Sequence, residues 1–141
     1  MSLPLTKAVL EQLAVTRVAE AEHLLDAGYF SGAFYIGGYA VELALKACIA
    51  EAFQPRIIPD RRFVEKIYTH DLLKLVDLAG LEADRIQTSD VDATFAQHWE
   101  VLTAWSESAR YTITDETVAR TLIGALRDTD HGVFEWIRSR W

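Results

Sequence analysis

Four side chains recur along one line of an otherwise apolar segment: Tyr35, Tyr39, Glu42 and Lys46 stand at i, i+4, i+7 and i+11. In a helix that spacing places them on a single stripe. A carboxylate buried there needs a partner, so an Arg or His from another helix is expected beside it. Two readings of the stripe stay open. In one, Glu42 and Lys46 form an i,i+4 ion pair in the favourable orientation, and the tyrosines turn their hydroxyls to the rim. In the other, the stripe lines a cleft where a ligand or a second subunit meets the fold. Arg110-Tyr111 is a second constellation. An Arg at a helix C-terminus suits the helix dipole; turned inward, it would reach Glu42 or an anionic ligand. Tyr35, Tyr39, Glu42, Lys46, Arg110 and Tyr111 are therefore the candidate ligand-binding set.

The remaining chemistry-bearing residues read more plainly. His70 follows Thr69 at a helix entrance and is expected to support local capping. His98 stands beside Trp99 and reads as the flank of an amphipathic helix. A carboxylate-bridged metal pair would use Glu-x-x-His on two helices. Glu20-x-x-His23 matches once and Asp128-x-x-His131 only loosely. His23 lies off the apolar stripe of its helix, so no metal site is expected. The chain has no Gly-x-Gly-x-x-Gly, no Gly-x-Ser-x-Gly, no His-Glu-x-x-His and no phosphate loop ending in Gly-Lys-Ser/Thr. Accordingly, no cofactor is expected. Cys48 is the only cysteine and sits in the most apolar stretch. It reads as a small buried hydrophobe, in keeping with a reducing, cytoplasmic compartment.

A chain of 141 residues, half of them hydrophobic and a quarter charged, fits one globular domain spanning 1–141. The net charge of −7 disfavours non-specific binding to nucleic acid, while leaving room for a local basic pocket. The N-terminus carries Lys7, Glu11 and Arg17 where a secretory leader would be apolar. Glu42 and Lys46 interrupt the longest apolar run, so it is expected to be a core helix and not a membrane span.

Helical periodicity dominates, and no segment shows sustained strand alternation. A first helix is expected over Leu5–Ala27, closed by Gly28. A second starts at Ser31 as N-cap and ends before Pro55. Gly37 and Gly38 within it suggest close approach of a neighbouring backbone. Residues 54–68, with Pro55, Pro59, Arg56, Arg61 and Arg62, read as a loop with one turn at most. A short third helix follows Thr69, with Asp71 in its first turn, and stops at Gly80. After a polar stretch over 82–90, a fourth helix is expected from Val91 to Ala109. A fifth runs from Asp115, with Thr114 as N-cap, to the C-terminus. The expected fold is all-α, an up-and-down bundle of four long helices plus a short one.

In this order the strings Ala21–Gly28, Ala33–Ala47, His70-Asp71-Leu72, Ala79-Gly80-Leu81 and Trp105–Tyr111 resemble the HEPN superfamily of small helical-bundle domains. The resemblance covers nearly the whole chain. It implies a prokaryotic type of bundle that dimerises and is often paired with a small nucleotidyltransferase, as the toxin half of a toxin–antitoxin pair. Active members are metal-independent ribonucleases with an Arg, four to six residues, then a His. The cation steadies the phosphate while the imidazole moves a proton. Arg110 matches the motif Arg, but Asp115, Glu116 and Thr117 stand where the His belongs.

The expectation is thus a non-catalytic or weakly active binding and assembly module. It would be a homodimer with a nucleotide-like or RNA ligand or a nucleotidyltransferase partner, and would not be a membrane protein. The alternatives are a metal-independent endoribonuclease toxin using Arg110, and a purely structural dimerisation subunit held through its Trp136/Trp141 end.

Overall fold

The computed structural model describes residues 4–141, which form eight α-helices and one 3-10 turn and contain no strand. Helix α1, Lys7–Asp26, begins where the Thr6 hydroxyl accepts the Val9 N–H at 3.2 Å. It buries the stripe Leu10, Ala14, Val18, Ala21 and Leu25. Helix α2, Phe30–Ala50, is the axis of the molecule and packs against α1 along its length. It buries residues on every side, from Ala33 to Ile49, because other helices enclose it. It is also the one described helix long and apolar enough to cross a membrane. With 67% of that apolar window buried against its neighbours, it serves as a core helix.

Short elements wrap this pair. They are α3 (Arg61–Ile67), α4 (Leu72–Leu78), α5 (Glu82–Val91), α6 (Ala93–Thr103), the 3-10 turn Glu107–Tyr111, α7 (Glu116–Arg127) and α8 (Val133–Arg138). Gly28 and Gly80 end α1 and α4 with φ of +85° and +73°. At each, the next residue's N–H reaches back to the third-last carbonyl of the helix (Tyr29 to Leu24 at 2.8 Å, Leu81 to Val76 at 3.0 Å). This left-handed closure favours glycine.

The architecture is all-helical, but only α1 and α2 are long. The expected fourth helix stops at Thr103, and Trp105 lies in the bend before the 3-10 turn. The expected fifth helix breaks after Arg127, where the Asp128 carboxylate accepts the N–H groups of Asp130 and His131 at 2.9 and 3.0 Å. That local competition with the helix ladder is what Asp does well. The polar stretch over 82–90 is helical as α5. Its Glu82 and Asp84 favour the first turn, and Thr88 accepts the Trp136 indole N–H at 3.1 Å. The segment expected as loop contains α3, capped by Asp60.

Two expected caps are also corrected. Ser31 lies inside α2, and its hydroxyl accepts the Thr114 N–H at 2.8 Å, tying α2 to the start of α7. Asp115, not Thr114, caps α7. Gly37 and Gly38 do accommodate close neighbours, but these are side chains. A Cβ on Gly38 would lie 2.2 Å from the Trp105 ring, and one on Gly37 2.7 Å from Ile123 Cδ1. Cys48 is buried, and burial pushes its thiol up to about 11.

Candidate functional site

Glu42 is the one buried charged side chain among the described residues, 1% exposed. Its two oxygens are divided. Oε1 accepts from His70 Nδ1 at 2.6 Å, and Oε2 faces Lys46 Nζ at 3.7 Å. The partner demanded by burial is therefore His70, which enters from the turn before α4. The cap of α4 is provided by Asp71, whose carboxylate accepts from Leu73 and Lys74. His70 was expected to support that cap; instead it holds the core carboxylate. Because a carboxylate only accepts, the bond fixes the proton on Nδ1 and leaves Nε2 as the ring nitrogen open to a ligand.

Arg110 does not reach Glu42. The expected helix through Ala109 would have carried it on a continuous phase, but the bend at residues 104–106 precedes the 3-10 turn and leaves Arg110 exposed. Its guanidinium sits over the Tyr111 ring, 5.1 Å from the centroid. The oxygens of Tyr111, and to a lesser degree Tyr35, raise its pKa above the ordinary arginine value. Tyr111 is itself 82% exposed. Arg110 has no carboxylate within ion-pair distance among the described residues.

Trp105 joins the two ends. Its ring stacks on Tyr35 at 6.4 Å, and Tyr35 meets Tyr39 at 6.0 Å. Burial, then the Glu42 charge, pushes the Tyr39 phenol above its usual range, so it stays protonated. Trp105 also lines a cavity of about 420 Å³ together with Thr69, His70, Lys74, Ser106 and Glu107. Its indole N–H is buried with no hydrogen-bond partner, a condition worth about 1–3 kcal/mol. The stripe Tyr35, Tyr39, Glu42, Lys46 thus has a polar end at His70 and an aromatic end at Arg110-Tyr111, with Trp105, 3% exposed, packed beneath the space between them. His70 and the buried Trp105 are the two residues of this region missing from the sequence-derived set. The need for a His or Arg beside Glu42 was the signal for the first. The small pair Gly37-Gly38 was the signal for the second.

The other histidines hold the fold. His131 Nδ1 donates to Asp92 at 2.7 Å, and His98 Nδ1 donates to the His131 carbonyl at 3.0 Å. These bonds link the start of α6 to the α7–α8 turn. Asp92, first of all, raises the His131 pKa, and His131 lowers that of Asp92. Glu20 pairs with Arg17 at 2.7 Å. No three His, Cys, Asp or Glu side chains converge as a metal site among the described residues. At the far end, Trp136 packs on Phe95 at 5.2 Å, and the Trp141 indole donates to the Ala44 carbonyl at 3.3 Å, so both rings are engaged within the chain. The chain matches no family model, no curated protein and no solved structure.

Proposed function

We propose that this protein is a HEPN-type binding and assembly module, acting as a homodimer, and that it takes a nucleotide-like anionic ligand across the surface from His70 to Arg110. The observation that carries the reading is the packing of Trp105, a buried ring that lines the His70 cavity on one side and stacks on Tyr35, next to Arg110, on the other. Arg110 supports it as an unpaired cation beside the exposed Tyr111 ring, the combination that receives a phosphate and a base together. A nucleotidyltransferase is the protein partner that the family resemblance suggests. The lack of an imidazole at Asp115, Glu116 or Thr117 favours binding over cleavage: Asp115 is spent as a helix cap and Glu116 on Arg120 at 2.8 Å.

Calorimetric titration with adenosine monophosphate tests the reading. Binding is expected to weaken about tenfold in Arg110→Ala and in His70→Gln, each a loss of roughly one charged or polar contact. Equal affinity in wild type and both variants would overturn it. Light scattering tests the dimer.

One observation favours a second reading. A carboxylate that orients an imidazole with its other nitrogen free is the arrangement of an acid–base pair. Under that reading the protein is a metal-independent endoribonuclease, with His70 replacing the missing motif histidine. Cleavage of structured RNA that resists chelator and is lost in Arg110→Ala and His70→Gln would establish it.

A further inference from the structure

Glu107 lines the His70 cavity and has no cation within 4.0 Å among the described residues. It opens the 3-10 turn Glu107–Tyr111, and Arg110 stands three residues further on. In such a turn the side chains at i and i+3 eclipse, so Glu107 and Arg110 share one face, about 6 Å apart along its axis. Opposite charges on one face would ordinarily close into an ion pair, and these do not. An acceptor on the cavity wall and an exposed cation are therefore held apart, each open to a different end of one ligand.

The cavity sorts that ligand by polarity. His70 gives its Nδ1 proton to Glu42 at 2.6 Å, so in the neutral ring the open Nε2 accepts. Other polar side chains on the walls are engaged locally. Asp71 caps α4, Thr69 accepts the Asp71 N–H at 3.2 Å, Thr103 donates to the Glu100 carbonyl at 2.8 Å, and Ser106 pairs with Ser108 at 2.6 Å. Lys74 of α4 also lines the cavity, its side chain 72% exposed and its nearest carboxylate, Asp71, 4.0 Å away. The Glu107 carboxylate repels a phosphate, which belongs at Arg110. It accepts hydrogen bonds and donates none, so the base it receives must offer donors side by side. Guanine presents N1–H next to its N2 amino group, with the O6 acceptor beside them. Adenine presents one amino group beside an unprotonated N1, whose lone pair faces a carboxylate unfavourably.

Resting on the nucleotide reading of this surface, we propose that the cavity is a guanine pocket. The Glu107 carboxylate accepts from N1 and N2 of the base, Lys74 donates to O6, and Arg110 holds the phosphate.

Calorimetric titration of the full chain with guanosine, inosine and adenosine monophosphates tests it. All three carry the same phosphate, so differences between them report the base. Guanosine monophosphate is expected to bind about tenfold more tightly than adenosine monophosphate. Inosine monophosphate, which lacks the N2 amino group, is expected to fall between them. Glu107→Gln replaces one accepting oxygen with a donor and is expected to bring the guanosine-to-adenosine affinity ratio close to one. Glu107 is half-buried and has no ion pair to lose, so the fold is retained, as circular dichroism would verify. Equal affinity for the guanosine and adenosine nucleotides, still weakened in Arg110→Ala, would overturn the guanine pocket and leave the nucleotide reading standing. So would a guanosine preference that survives Glu107→Gln. Binding of none of the three would overturn both.

Discussion

His70 Nδ1 lies 2.6 Å from Oε1 of Glu42, joining a side chain that is 42% exposed to one that is 1% exposed. This bond carries the charge of the core helix to the surface. Lys46 alone, at 3.7 Å, is too far to hydrogen-bond the carboxylate well. Removing the imidazole strands a charge in the core. His70→Ala is expected to lower unfolding free energy by about 1–3 kcal/mol. Glu42→Gln, which keeps shape and an acceptor for Nδ1, is expected to cost less. A double-mutant cycle by urea denaturation would give a coupling of about 1 kcal/mol or more. Additive losses would mean the two side chains do not support each other.

Gly38 is required by Trp105. A methyl group there would sit 2.2 Å from the ring, and a stacked indole cannot yield as a flexible chain end would. Gly38→Ala gains up to about 1 kcal/mol in helix propensity but overpacks a core site at about 1–3 kcal/mol. The expected net is destabilisation, with the near-ultraviolet tryptophan signal altered. Gly124→Ala is the control: a Cβ there meets nothing within 4 Å, so it is expected to stabilise. A stable Gly38→Ala protein with an unchanged tryptophan signal would contradict the packing.

The His131–Asp92 bond makes stability depend on pH. His131 has its pKa raised above 6.5 in the folded chain, so its contribution is full below 6.5 and is lost as pH rises through the raised value. Asp92 is lowered below 3.8, so its contribution is present above 3.8 and is lost as pH falls through the lowered value. Together they stabilise most between these limits. The melting temperature of wild type is expected to fall from mildly acidic to alkaline pH, and His131→Gln is expected to flatten that slope. An identical slope in the variant would place the pH dependence elsewhere.

Much of the helical framework is legible in the sequence because its signals are local. The Leu10–Leu25 stripe and the closing glycines Gly28 and Gly80 need only neighbours a turn away to act. The breaks are less legible. Trp105 leaves the helix for a contact that only the folded chain supplies, the space over Gly38, whereas Asp128 breaks it with local bonds to Asp130 and His131 that apolar periodicity does not register. Ser31 illustrates the same point, since its hydroxyl has a good local use as a cap yet is taken by Thr114. At the site, burial of Glu42 dictates that a basic partner exists. Which residue answers is set by a turn 28 positions along the chain, and apolar periodicity does not encode that.

The central claim is that one continuous surface from His70 to Arg110 receives an anionic, nucleotide-like ligand. The most direct measurement is a proton–nitrogen correlation spectrum of the full chain titrated with adenosine monophosphate, following the Trp105 indole. The account predicts that this indole signal shifts together with the amides of Tyr35, His70 and Arg110, and that Arg110→Ala abolishes the response at the same ligand concentration. An unmoved Trp105 indole, or shifts confined to other parts of the molecule, would contradict it.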